Sequence, residues 1–166
     1  RLYEAAKARR QGRRPLALYH PALTVQAPGG RFVIECAWPS PDAHGAARGV
    51  ALEGPVFDRR LARLRPFRYE VRRWRDGVIP DLPQAVGGPQ AVGRDAAQAE
   101  RLLALVLAVP ALVWGRDESA AGEMWNSNSV ISWLLASAGV PPADLPPPEG
   151  GRAPGWRAGI IVAGRS

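Results

Sequence analysis

The sequence is poor in residues that bind metals or form cross-links. It has a single cysteine, Cys36, and only two histidines, His20 and His44. One cysteine cannot form an internal disulfide or a thiolate-based zinc site, so we expect no metal and no other cofactor. Because Cys36 follows Glu35 on a strand-like run, we expect its side chain on the opposite face, as a buried and inert thiol.

Lysine is almost missing as well, since Lys7 is the only one among 22 basic residues. A formal charge of +7 would ordinarily indicate nucleic acid or an anionic membrane as a partner. Abundant alanine, glycine, proline and arginine, however, are what a GC-rich coding bias produces without selection for phosphate binding. Nucleic-acid binding through the run KARRQGRR, residues 7–14, therefore remains a third hypothesis, behind the two developed below.

Long apolar runs are also missing, and we expect no signal peptide. The longest apolar run, 102–114, contains Pro110 and is shorter than the roughly 20 residues that a transmembrane helix needs. Residues 1–14 are charged and no apolar stretch follows them, which is not the pattern of a signal peptide. The sequence thus predicts a soluble, cytoplasmic protein, folded as one domain over 1–166 with a flexible or helical basic segment at 1–14.

The patterns that are present predict an α+β fold. Alternating and β-rich runs indicate strands at 17–26, 31–37, 50–57 and 67–74, with a hairpin turn at APGG. Helical patterns cover 96–109, capped by Asp95, and 128–138, ended by Gly139. The run RAGIIVAG at 157–164 predicts a last short strand. We expect an antiparallel sheet of four to five strands packed against two main helices.

The stretch WNSNS, residues 125–129, stands directly before the second helix. A cap explains one of its polar residues but not four. At a helix N-terminus, the dipole and free N–H groups also stabilise an anion that develops on a nucleophile or beside it. Ser127 is therefore a candidate nucleophile. The candidates for binding an oxyanion or substrate are Trp125, Asn126, Asn128 and Ser129, with capping or core packing as their alternative roles.

A serine nucleophile needs a base, and His20 is the better candidate because YHPALTV reads as a rigid strand. If Ala27 pairs with Gly30 across the turn, Glu35 becomes a diagonal neighbour of His20 and can orient its ring. A slip of one residue would separate the two side chains.

The order of these motifs resembles the circularly permuted papain-like hydrolases: permuted NlpC-type peptidases, lecithin:retinol acyltransferase-like enzymes and PPPDE-type isopeptidases. In that family a histidine strand precedes a helix opened by an Asn-flanked cysteine. YHPALTV and WNSNS are similar to these two segments, with Ser127 at the cysteine position. The segment GGRAPGW is also similar to one in a group of bacterial proteins, which adds no function.

The resemblance implies a permuted papain-like fold and a hydrolase or acyltransferase that acts on an amide or ester of a peptide, isopeptide or lipid-like acyl substrate. Serine cannot form the resting ion pair that cysteine forms with histidine, so Ser127 would need general-base help. Three readings stay open for Ser127: a working nucleophile, a degenerate site in a module that binds an anionic partner, and a cap or Cys→Ser replacement without activity.

Overall fold

The computed structural model describes residues 8–10, 12, 14–39, 49–79 and 81–165. His44 and most of the basic segment 1–14 lie outside these residues. The strands are β1 (Ala17–Leu18), β2 (Leu23–Ala27), β3 (Gly30–Ala37), β4 (Val50–Pro55), β5 (Arg68–Arg75) and β6 (Gly151–Arg152). The α-helices of eight or more residues are α1 (Ala96–Leu105), α2 (Ser127–Ser137) and α3 (Trp156–Ala163). The predicted α+β class is confirmed.

The main sheet has four antiparallel strands in the order β2-β3-β5-β4. Its first hairpin has the register predicted from the APGG turn, with Ala27 opposite Gly30 and Leu23 opposite Ile34. Gly30 has a φ of 118°, a conformation that glycine adopts at little cost. The turn therefore fixes which side chains of β2 and β3 face the core.

The core lies between one face of this sheet and the helices α1 and α2. Ile34 and Val71 from the sheet pack in the same apolar cluster as Ile131 and Leu134 from α2. Nine of the eleven residues of α2 are buried, so this helix is enclosed on nearly all sides. Its first turn, which carries the polar run, is therefore held in a nearly rigid setting.

The predicted last strand is wrong, because residues 156–163 form helix α3. A short apolar run has no periodicity that separates a buried strand from a helix. Here the small residues Ala158 and Gly159 are buried, and a Cβ at Gly159 would collide with the backbone of Ser129. The tight packing of α3 on α2 explains the helix.

The segment before α3 contains the short strand β6. This strand pairs in parallel with β1, placing Ala17 opposite Gly151 and Leu18 opposite Arg152. The C-terminal part of the chain thus contacts the N-terminal strand and α2 together. None of the helices described is both long enough and apolar enough to cross a bilayer.

Candidate functional site

Asn126 caps helix α2 with its side chain. Its Oδ1 accepts hydrogen bonds from the backbone N–H groups of Asn128 at 2.9 Å and Ser129 at 3.4 Å. In return, Ser129 Oγ accepts from the Asn126 N–H at 3.1 Å. This reciprocal arrangement is a capping box, and it accounts for Asn126 and Ser129 as structural residues.

The same polar run also holds the segment that enters α3. The side-chain amides of Asn126 and Asn128 both donate to the Pro154 carbonyl at 2.8 Å. Ser129 Oγ donates to the Gly155 carbonyl at 2.8 Å. We call these contacts of Asn126, Asn128 and Ser129 with 154–155 the polar latch. Much of the hydrogen-bonding capacity predicted for oxyanion binding is therefore used to fasten the chain.

Ser127 is the member of the run that the latch does not use. It is the first residue of α2 and is 7% exposed. Across the described residues, neither its hydroxyl nor its backbone N–H forms a hydrogen bond. Because Asn126 occupies the next two N–H groups of the helix, the Ser127 N–H is the donor left for an oxyanion. The expectation of several free donors here is corrected accordingly.

His20 lies between β1 and β2 rather than on a strand. The predicted register holds from Leu23 onward, but the strand does not extend back to residue 20. The His20 side chain is 55% exposed, and its Nε2 lies 2.9 Å from Oδ2 of Asp81. The predicted pairing of His20 with Glu35 is therefore wrong, since the carboxylate beside the imidazole belongs to Asp81.

Glu35 takes part in a buried ion cluster on β3 and β5. Its Oε1 accepts from Nη1 of Arg72 at 2.6 Å, and Arg72 also donates to Oε2 of Glu70 at 2.7 and 2.9 Å. A further Arg72 bond reaches the Trp38 carbonyl at 3.0 Å. A buried guanidinium needs such partners, because an unpaired charge in the interior is costly. Glu35 thus joins two strands and does not orient His20.

The elements that carry His20 and Ser127 are connected by one short segment. Next to His20, the Tyr19 N–H donates to the Arg152 carbonyl at 2.9 Å. Pro154, two residues after Arg152, accepts hydrogen bonds from Asn126 and Asn128, the neighbours of Ser127. A shallow depression of about 180 Å³ borders this segment and is lined by residues that include Glu123, Pro147, Arg152, Pro154 and Trp156.

The remaining predicted site residue, Trp125, belongs to the core. Its side chain is 1% exposed, so it packs inside the protein and does not line the depression. Cys36 is buried as predicted, and this burial raises the pKa of its thiol. Among the residues described, no three His, Cys, Asp or Glu side chains cluster as metal ligands.

Two features escaped the sequence analysis. Asp81 stands in a Pro/Gly-rich connection, and its contact with His20 spans 61 positions, so no local pattern indicates it. A larger depression of about 400 Å³ lies between 57–60 and 113–118. Comparison of this chain with protein-family models, curated proteins and solved structures finds no match.

Proposed function

We propose that this protein is a hydrolase or acyltransferase acting on an amide or ester, with Ser127 as nucleophile and His20 as general base. The observation that carries the proposal is the contrast within the polar run. Asn126, Asn128 and Ser129 are all engaged in the cap and latch, whereas the hydroxyl and N–H of Ser127 stay available at the helix N-terminus. That is where a dipole favours negative charge.

The reaction balances with these groups alone. Ser127 Oγ forms a bond to the carbonyl carbon while its proton passes to His20. The negative carbonyl oxygen is stabilised by the Ser127 N–H and the positive end of α2. When the tetrahedral intermediate collapses, the bond to the amine or alcohol breaks and the leaving group takes the proton from His20. Water, or a second alcohol or amine, then attacks the acyl-enzyme in the same way.

Asp81 replaces Glu35 as the orienting group in this proposal. Its carboxylate faces Nε2 of His20, so Nδ1 is the atom left to accept the serine proton. Both side chains are about half exposed, and His20 follows Tyr19, whose N–H donates to the carbonyl of Arg152, a residue that lines the smaller depression. We expect residues 19–22 to move toward α2 when substrate binds, as catalytic contacts often tighten only in the complex.

Labelling with a fluorophosphonate probe tests the proposal. We expect the native chain to be labelled, Ser127→Ala to be unlabelled, and His20→Ala to be labelled at least 100-fold more slowly, on the order expected for loss of a general base. Asp81→Asn should slow labelling less. Ser137→Ala is the matched control, because it removes a serine from the other end of α2 and should label normally.

Absence of labelling in the folded native chain, or labelling unaffected by Ser127→Ala, would refute the nucleophile. A second candidate would then take precedence: a binding module on the same scaffold that recognises an anionic partner. The polar latch favours this second candidate, because the side-chain donors of Asn126 and Ser129 hold residues 154–155 instead of facing a substrate. In that case Ser127→Ala would leave partner binding unchanged.

A further inference from the structure

The connection between β4 and β5 exposes three large apolar side chains. Phe57 is 58% exposed, Leu61 39% and Leu64 58%. Single exposed apolar residues are common, but three within eight positions of one loop form a concentration that points to a contact surface. We call residues 57–65 the basic-apolar loop, because they also include four arginines, Arg59, Arg60, Arg63 and Arg65.

The short helical turn in this loop separates the two kinds of side chain. Residues Leu61–Arg63 form a 3₁₀ turn, and the Leu64 N–H donates to the Leu61 carbonyl at 2.9 Å. In a 3₁₀ turn, positions three apart lie above one another. Leu61 and Leu64 therefore share one side of the turn, while Arg60 and Arg63 share the adjacent side.

Two of the four arginines of the loop, Arg60 and Arg63, carry positive charge that no described carboxylate pairs with. Its one acidic residue, Asp58, accepts a hydrogen bond from the Arg60 backbone N–H at 2.8 Å. Arg59 is paired with Glu118 at 2.7 Å. The guanidinium groups of Arg60 and Arg63 form no ion pair with any of the residues described. Positive charge thus stands directly beside the exposed leucines.

Hydrogen bonds from neighbouring residues also fix the backbone of the loop. Arg68 Nε donates to the Ala62 carbonyl at 2.6 Å, and the Phe67 N–H donates to the Leu64 carbonyl at 3.0 Å. Phe57 has a φ of 62°, which is rare for a bulky residue. Its N–H is anchored to the Trp114 carbonyl at 3.2 Å. The apolar side chains are therefore presented to solvent by a fixed backbone.

We propose that the basic-apolar loop docks this protein onto the surface of an anionic lipid bilayer. Apolar side chains flanked by arginine suit the boundary between headgroups and acyl chains, where burial and attraction to anionic lipid act together. Single-stranded nucleic acid fits less well, because only Phe57 of the three exposed apolar side chains offers a π-face on which a base can stack. This inference does not rest on the proposed catalytic function.

Co-sedimentation with vesicles tests the docking surface. We expect the native chain to bind vesicles containing phosphatidylglycerol and to bind much less to vesicles of phosphatidylcholine alone. Arg60→Glu/Arg63→Glu should weaken binding by about fivefold or more for each arginine. Leu61→Ser/Leu64→Ser should weaken it by roughly tenfold or more, since two apolar side chains lose their burial.

Two exposed positions outside the loop serve as controls. Val86→Ser, on the connection between β5 and α1, removes a side chain that is 52% exposed, and Arg101→Glu reverses an exposed charge on α1. Val86→Ser should bind like the native chain, and Arg101→Glu should weaken binding by less than either charge reversal in the loop. The proposal is overturned if anionic vesicles are not bound, or if the leucine pair binds as tightly as the native chain.

Discussion

Cys36 illustrates how burial governs a single ionisable group in this protein. Burial on the core side of β3 raises the pKa of its thiol, and the neighbouring Glu35 carboxylate raises it further. In the unfolded chain the thiol titrates at its ordinary pKa of about 8.5. Between these two values the unfolded chain binds fewer protons than the folded one, so stability must fall as pH rises.

We predict that the free energy of unfolding falls by about 1 kcal/mol between about pH 7.5 and 9.5 through Cys36 alone. Cys36→Ala should remove this decline, although it costs some stability at every pH. Burial also raises the pKa of Tyr69, which adds a similar decline only above about pH 10. Urea unfolding at several pH values checks the prediction, and equal slopes in the two proteins would contradict it.

At the scale of elements, the junction between the polar latch and α3 depends on a glycine. Gly155 has a φ of 86°, and a Cβ there would lie 2.7 Å from Asn126 Oδ1 and from Ser129 Oγ. Gly150 has a similar φ of 71°, but a Cβ there would meet nothing within 4 Å. The two positions therefore separate backbone strain from collision.

We expect Gly150→Ala to cost about 1 kcal/mol, the penalty for a left-handed alanine. Gly155→Ala should cost about 3 kcal/mol or more, because it adds a collision with the cap and latch to that strain. Chemical denaturation measures both values. Similar losses in the two variants would show that the contacts around Gly155 do not constrain it.

Whether an element could be predicted from the sequence depended on how far along the chain its determining contacts lie. The β2–β3 register follows from the turn at Gly30, and the start of α2 follows from the Asn-Ser run, because both signals lie within a few residues. The strand β6 has two residues and pairs with β1 more than 130 positions away, so no local pattern indicates it. The strand predicted at 157–164 was wrong because such a short apolar run fits both the helical and the strand period.

The candidate site shows the same division. Ser127 can be proposed from the sequence because the start of a helix is signalled by residues next to it. Pro154, which accepts hydrogen bonds from Asn126 and Asn128 on either side of Ser127, lies 28 and 26 positions from them. Asp81, the partner of His20, lies 61 positions away. Extrapolation of the β2–β3 register back to His20 failed because β2 begins only at Leu23, and because Arg72 across the sheet pairs with the Glu35 carboxylate.

At the scale of the whole molecule, the segment from β6 through α3 contacts both the N-terminal strand β1 and helix α2. Its strand β6 pairs with β1, and residues 154–155 accept the hydrogen bonds of the polar latch. The Trp156 carbonyl also accepts a hydrogen bond from Ser132 Oγ at 2.7 Å. Without this segment, the buried side chains of Asn126 and Asn128 lose their common partner at Pro154. Buried polar groups without partners each cost about 1–3 kcal/mol, a large fraction of the roughly 5–15 kcal/mol by which typical domains are stable.

We therefore predict that a chain ending at residue 150 does not unfold cooperatively. Thermal denaturation followed by near-ultraviolet circular dichroism should show no sharp transition, because the buried Trp125 and Trp133, just before and within α2, lose their fixed packing. A chain ending at Gly164 is the control: it loses the exposed contact of Arg165 with the Ser119 carbonyl, which should cost less than about 1 kcal/mol. A sharp transition in the shorter chain, at the midpoint of the full one, would mean that β1 and α2 are stable without the C-terminal segment.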